Sequence, residues 1–167
     1  MNDKISKIVR GCDRRYLLQS ERERILEYAG SVHCRIALEQ EIERCETKVL
    51  DATMRTVRSH YPQLDDFHEH GYEHTSRDLQ LTLRCVAQAV LIDDIQYLRD
   101  RLLIPHRQVL RALGFTPSFV RDVYGTLRDE LQHALSGITF DFAKPYLDEV
   151  VMVLGDFSQL EDARVAR

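Results

Sequence analysis

The chain has 167 residues, 44% of them hydrophobic and 30% charged, which suits one domain (residues 1–167) with a sizeable apolar core. The net charge of −4 and the pI near 6.0 argue against general affinity for nucleic acid. No apolar run approaches the length that crosses a bilayer, and the first ten residues lack the apolar centre of a signal peptide, so we expect a cytoplasmic protein with no membrane or nucleic-acid partner.

Apolar spacing in the first half of the chain predicts helices and no strand. A short helix is predicted around residues 5–9. A long helical segment follows over residues 20–59, in which Gly30 permits a break. Ser20 and Glu23 form a capping-box pattern at its start.

In the second half, the polar residues 59–73 predict a loop. Pro105 is typical of a first helical turn, and Thr116 before Pro117 is typical of an N-cap. The predicted helices span residues 74–92, 105–114, 117–136 and 142–154. Seven to eight helices in one domain indicate an all-α, globin-like packing at oblique angles.

The cysteines are spread along the chain without a C-x-x-C pair: Cys12, Cys34, Cys45 and Cys85. Together with the absence of a signal peptide, this spacing predicts free thiols in a reducing compartment. Cys85 is expected in the core.

One motif carries most of the functional information. Thr75, one intervening residue, then Arg77 and Asp78 stand near the start of a helix, and Leu83 and Arg84 follow. This order resembles the chromophore helix of phycobilisome subunits, the phycocyanin and allophycocyanin family. There a cysteine opens the motif and binds a linear tetrapyrrole, or bilin, through a thioether. Thr75 stands at that position here, so a thioether cannot form.

The resemblance extends over nearly the whole chain. It is carried by Asp13, Arg15, Tyr16 and Leu17, by Tyr61-Pro62, by Leu113-Gly114-Phe115-Thr116-Pro117 and by Tyr146-Leu147-Asp148. It implies a globin-like fold of seven to eight helices, in which residues 1–20 form N-terminal dimerisation helices.

The resemblance also implies roles for the motif residues. Asp78 would accept the pyrrole N–H groups and Arg77 would bind a propionate. Arg84 would reach the second propionate or pair with a partner subunit. From the residues alone, Asp78 is also suited to an ordinary helix start, where the helix dipole favours a negative charge. His74, four residues earlier, shares its face and predicts a His–Asp hydrogen bond.

Histidines offer a different hypothesis. His68, His70 and His74 form an H-E-H-x-x-x-H segment, but no second ligand cluster accompanies it, so no metal site is predicted. Because the resembled fold is globin-like, a heme-binding sensor or carrier is the alternative, with His106 as iron ligand and His74 opposing it. Pro105 would put His106 on a first helical turn, which argues against heme.

A third hypothesis is a pigment-free interaction protein of a phycobilisome-like assembly. In the resembled family, counterparts of Asp13 and Tyr16 contact the partner's chromophore-helix arginine, here Arg84. All three residues are present in this chain. They imply a homodimer through residues 1–20.

We therefore expect a non-covalent bilin-binding protein that acts as a carrier or scaffold in bilin biosynthesis. Biliverdin or phycocyanobilin would be the cofactor, and heme oxygenase or a bilin reductase would be a partner. No phosphate-binding loop or nucleophile elbow is found, so no enzymatic activity is predicted.

Overall fold

The computed structural model describes residues 3–12 and 15–158, which form helices and turns and no strand. The predicted all-α, globin-like architecture is confirmed. The helices are α1 (Asp3–Arg10), α2 (Gln19–His60), α3 (Leu64–Phe67), α4 (Gly71–Ile92), α5 (Ile95–Leu98), a π-helical segment (Arg99–Leu103), α6 (Ile104–Ala112), α7 (Pro117–Ala134) and α8 (Gly137–Leu154).

The long helix α2 runs through Gly30 without the break that this residue permits. A glycine costs a helix only about 1 kcal/mol, which the packing of 42 helical residues outweighs. The predicted cap by Ser20 and Glu23 is wrong. Glu21 instead accepts the Leu18 N–H at 2.8 Å, because Arg15 holds its carboxylate at 2.7 Å.

Helix α4 begins at Gly71, three residues before the predicted start, and α3 lies within the predicted loop. Two contacts fix this start. The Asp65 carboxylate accepts the Tyr72 N–H at 2.9 Å, and a Cβ at Gly71 would lie 2.9 Å from Leu64, so only glycine fits. Asp78 is therefore the eighth residue of α4, beyond the first turn in which the helix dipole acts.

Pro105 is the second residue of α6, so its predicted place at a helix start is confirmed, although helical backbone also precedes α6. The helical backbone is continuous from Ile95 through the π-helical segment to Ala112, and the Asp94 carboxylate caps its true start by accepting the Tyr97 N–H at 3.1 Å. The π-helical segment accommodates the missing N–H of proline inside the helix. His106 is the third residue of α6, so its predicted position on the first turn of that helix is confirmed.

The last two helices are capped by side-chain hydroxyls. Thr116 accepts the Phe119 N–H at 3.2 Å, as predicted. Helix α8 begins at Gly137, five residues before the predicted start, because Ser136 caps it and Glu41 of α2 accepts a hydrogen bond from Thr139 at 2.7 Å.

The core is formed by apolar faces of α2, α4, α7 and α8, with α4 packed against α2 and α8. Cys85 is buried there, as predicted. Arg35 is also buried, 2% exposed, and donates to the carbonyls of Tyr28 and Leu91 at 2.7 Å each. Because these carbonyls lie on α2 and at the end of α4, Arg35 ties the two helices together and helps to position α4.

Candidate functional site

A polar stripe runs along one face of α4. Gly71, Thr75, Asp78 and Thr82 recur at intervals of three or four residues, which places them on the same side of the helix. Thr75 and Thr82 are buried, and Asp78 is partly exposed. This stripe faces α6 and α7, because Asp78 lies beside His106 of α6.

The Asp78 carboxylate is desolvated and lacks a hydrogen-bond donor among the residues that the structure describes. Its nearest charged neighbour is His106, with Oδ2 and Nε2 3.7 Å apart, and the Asp78 side chain is 33% exposed. Desolvation raises the pKa of Asp78, although the positive charges of His106, His74 and Arg77 act to lower it. A carboxylate in this state gains free energy when donors reach it.

His106 is held by a tyrosine from α7. Its Nε2 lies 2.9 Å from the Tyr124 hydroxyl, and its side chain is 10% exposed. Burial lowers the pKa of His106, although the Asp78 charge acts to raise it. Burial, followed by the Asp78 charge, raises the pKa of Tyr124. Burial therefore favours the neutral imidazole and the neutral phenol beside Asp78.

Tyr124 was missed by the sequence analysis. It lies on the buried face of α7 among Val120, Val123 and Leu127. The signal in the sequence was a single hydroxyl on an otherwise apolar stripe. Such a hydroxyl requires a buried partner, but nothing in the sequence shows that the partner is His106.

An aromatic groove lies near the amino end of α4 and has a volume of about 680 Å³. Phe115 stacks on Phe119 at 5.1 Å between ring centroids, Tyr61 meets Phe119 edge-on at 4.8 Å, and His68 packs on Phe115 at 4.1 Å. The lining residues are His60, Tyr61, Pro62, Gln63, Leu64, Phe67, His68, Gly114, Phe115, Thr116 and Phe119. The groove is therefore mainly apolar and has the size of a small-molecule site.

The groove and Asp78 lie along the same pair of helices. Leu64 of the groove touches Gly71, which is seven residues, or about 10 Å of helix, before Asp78. On α7, Phe119 of the groove is five residues, or about 7.5 Å, before Tyr124. Asp78 itself is not among the residues that line the groove.

The two predicted arginines do not converge on Asp78. Arg77 is exposed and lines a separate polar depression of about 610 Å³ with Arg58 and Gln80. Arg84 is exposed and pairs with Glu46 of α2 at 2.7 Å, which lowers the pKa of that carboxyl. Arg84 therefore forms an ion pair within its own chain.

The predicted hydrogen bond between His74 and Asp78 is absent from the described residues. His74 is exposed, and its ring lies 6.3 Å from that of His70. His106 takes the predicted place of His74 beside Asp78. This contact was not predicted, because His106 is 28 residues away and only the packing of α6 on α4 brings it there.

The exposed apolar side chains near the amino end define a second surface. Tyr16 is 92% exposed, Leu18 57% and Leu26 69%. Arg15 and Glu21 form a two-bond ion pair beside them. Asp13, predicted at the same interface, lies outside the described residues.

Over residues 3–12 and 15–158, no group of three or more His, Cys, Asp or Glu side chains could hold a metal ion. Within the same residues, no helix combines the length and apolar character that a membrane span requires.

The model of the family described as "Phycobilisome protein" matches residues 11–154, which include Asp78, His106, Tyr124 and the whole groove. No curated protein sequence matches the chain.

The desolvation of Asp78 predicts an unusual effect of Asp78→Asn on the ligand-free protein. Because the folded-state pKa is raised, the neutral carboxyl is favoured by folding, and the ionised form costs stability above that pKa. At pH 7, the free energy of unfolding of Asp78→Asn should equal that of the wild type or exceed it by up to about 1 kcal/mol. The difference is small because Asp78 is partly exposed. The difference should shrink as the pH falls towards 4.

Urea denaturation monitored by circular dichroism measures the stability difference at pH 7 and its decrease towards pH 4. Asp65→Asn is the matched control, because its carboxylate accepts the Tyr72 N–H at the start of α4 and its loss should lower stability. A marked loss of stability in Asp78→Asn at pH 7 would contradict the desolvation account and assign Asp78 a structural role.

Proposed function

We propose, from the premise that the chain belongs to the phycobilisome protein family, that it binds a bilin without a covalent bond and serves as a carrier or scaffold in bilin biosynthesis. Biliverdin and phycocyanobilin are the ligands that this proposal names. The chain's role is to bind and orient the pigment rather than to transform it.

The observation that supports this proposal best is the Asp78 carboxylate. Among the described residues no donor reaches its oxygens, and it is one-third exposed. The inner N–H groups of a linear tetrapyrrole are donors that one carboxylate can accept together. A charged acceptor forms the stronger class of hydrogen bond and favours a cationic pigment in a partly desolvated site.

The aromatic groove supports the same ligand. Tetrapyrroles are flat and conjugated, and rings such as Phe115, Phe119 and His68 offer them edges and faces for stacking. The volume of about 680 Å³ lies within the range of small-molecule pockets. Tyr61 adds a hydroxyl at the edge, although it already donates to Asp122 at 2.5 Å.

The sequence supports non-covalent binding. Thr75 stands where the family resemblance places the attachment cysteine, and its hydroxyl cannot form a thioether. Cys85, on the same helix, is buried in the core, and burial raises the pKa of its thiol. A thiol with a raised pKa forms less of the reactive thiolate.

Arg77 is proposed to bind a propionate at the edge of the site. It is exposed and has no carboxylate partner among the described residues, so an external carboxylate would not have to displace one. Arg84, which already pairs with Glu46, is proposed to have no part in pigment binding.

Heme is a weaker candidate than bilin on this geometry. To bind iron through Nε2, His106 would have to leave the Tyr124 hydroxyl at 2.9 Å and turn away from Asp78. His74, the proposed opposing ligand, is exposed on α4. Leaving the Tyr124 hydroxyl and turning away from Asp78 both cost free energy, and a bilin bound to Asp78 requires neither movement.

We also propose that the chain forms a homodimer through residues 1–20. The exposed side chains of Tyr16 and Leu18 support this interface, because burying them against a second copy removes apolar surface from water. In a biosynthetic scaffold, heme oxygenase or a bilin reductase would exchange pigment at the open groove.

Biliverdin mixed with the full chain should show a sharpened, red-shifted absorption band, and acid denaturation should separate all pigment from the polypeptide. Asp78→Asn should weaken binding about ten- to a hundredfold, because hydrogen bonds to a charged group contribute about 1.5–3 kcal/mol. Arg84→Gln is the control and should bind as the wild type does. Absorption titration measures the affinities of the wild type, Asp78→Asn and Arg84→Gln.

Three results would count against this proposal. Pigment that stays on the denatured chain would indicate a covalent bond through one of the cysteines. Equal affinity of Asp78→Asn and wild type would remove Asp78 from the site. A sharp Soret band at stoichiometric heme that disappears in His106→Ala would favour the heme alternative.

Deleting residues 1–20, or replacing both Tyr16 and Leu18 with Asp, should convert a dimer into a monomer in sedimentation velocity at micromolar concentration. Leu18 is the N-cap of α2, and Asp is a favourable N-cap residue, so the double substitution changes the interface without removing the cap. A full-length protein that already sediments as a monomer would contradict the dimer.

A further inference from the structure

We propose that His106, positioned by Tyr124, competes with the bound ligand for the Asp78 carboxylate, so that acidification weakens bilin binding at this site. This inference rests on the proposed function and adds a pH-dependent control of the same site. It concerns two side chains, on α6 and α7, to which the family resemblance assigned no role in bilin binding.

The position of one atom, His106 Nε2, supports this proposal. His106 Nε2 lies 2.9 Å from the Tyr124 hydroxyl and 3.7 Å from Asp78 Oδ2. When the imidazole is neutral and Nε2 carries the lone pair, the Tyr124 hydroxyl donates to Nε2. The Asp78 carboxylate is then available to accept hydrogen bonds from the ligand. When Nε2 takes up a proton, it becomes a cationic donor within reach of Asp78.

Protonated His106 would oppose a cationic bilin in two ways. It would pair with the carboxylate that the pigment N–H groups need, and its charge would repel the pigment. The other charged groups acting on Asp78 are His74 and Arg77, both on α4 and both exposed, so solvent screens them more than it screens His106.

The direction of the pH effect follows from the same contacts. Burial lowers the pKa of His106, so the imidazole stays neutral at pH 7 and takes up its proton only on acidification. Since the ligand prefers the neutral imidazole, its affinity should fall as the pH decreases through the pKa of His106, by at most about tenfold per pH unit. Coupling energies of this kind typically change affinity about 5–150-fold.

The experiment is a set of biliverdin titrations of the full chain between pH 8 and pH 5. The wild type should lose affinity progressively towards pH 5, as the protonated form of His106 accumulates. His106→Gln keeps a side chain that can bond to Tyr124 but cannot take up the proton. The affinity that this variant still loses on acidification reports protonation of Asp78 itself, whose pKa is raised by burial, and this loss should be smaller than that of the wild type. His133→Gln, an exposed histidine on α7, is the control and should follow the wild type. Protonation of free biliverdin is common to all titrations and cancels in the ratios.

Tyr124→Phe tests the same proposal without altering the imidazole. Without the hydroxyl, Nε2 is freer to take up a proton and pair with Asp78, so the loss of affinity should begin at a higher pH. Parallel pH profiles for wild type, His106→Gln and Tyr124→Phe would overturn the inference while leaving bilin binding intact. No binding by the wild type at any pH would instead refute the proposed function, and this inference with it.

Discussion

The incomplete solvation of one carboxylate is the constraint on which the candidate site depends. Burial has removed part of the water around Asp78, whose side chain is 33% exposed, and the described residues supply no hydrogen-bond donor in exchange. A folded protein seldom keeps a desolvated acceptor without a partner. We attribute its presence to a ligand that brings donors with it, and the family to which the chain belongs makes a bilin the chemically fitting one.

The scaffold maintains this constraint through contacts distant from the carboxylate. Gly71 against Leu64, together with the Asp65 cap, fixes where α4 begins, and Arg35 ties the far end of α4 to α2. With both ends fixed, the rotation of α4 is set, and the stripe containing Asp78 must face α6 and α7. The aromatic groove opens beside the first of these contacts, so the fold that exposes the carboxylate also forms the apolar surface next to it.

The sequence predicted the parts of this structure that depend on local patterns. Apolar spacing predicted the helices, and the Arg77-Asp78 motif identified the helix that carries the site. Contacts between distant segments were not predictable in this way. The pairing of His106 with Asp78 joins α6 to α4, and no local pattern in either segment indicates it. The ion pair of Arg84 with Glu46, 38 residues away, was likewise not predicted.

The central claim is that the Asp78 charge costs the ligand-free protein stability and stabilises the bilin complex. Unfolding free energies of wild type and Asp78→Asn, each with and without saturating biliverdin at pH 7, test both halves in one measurement. Without biliverdin, the variant should be as stable as the wild type or more stable. With biliverdin the order should reverse, because a ten- to hundredfold affinity loss removes about 1.4–2.7 kcal/mol of ligand stabilisation. Equal stabilisation of both proteins by biliverdin would contradict the account.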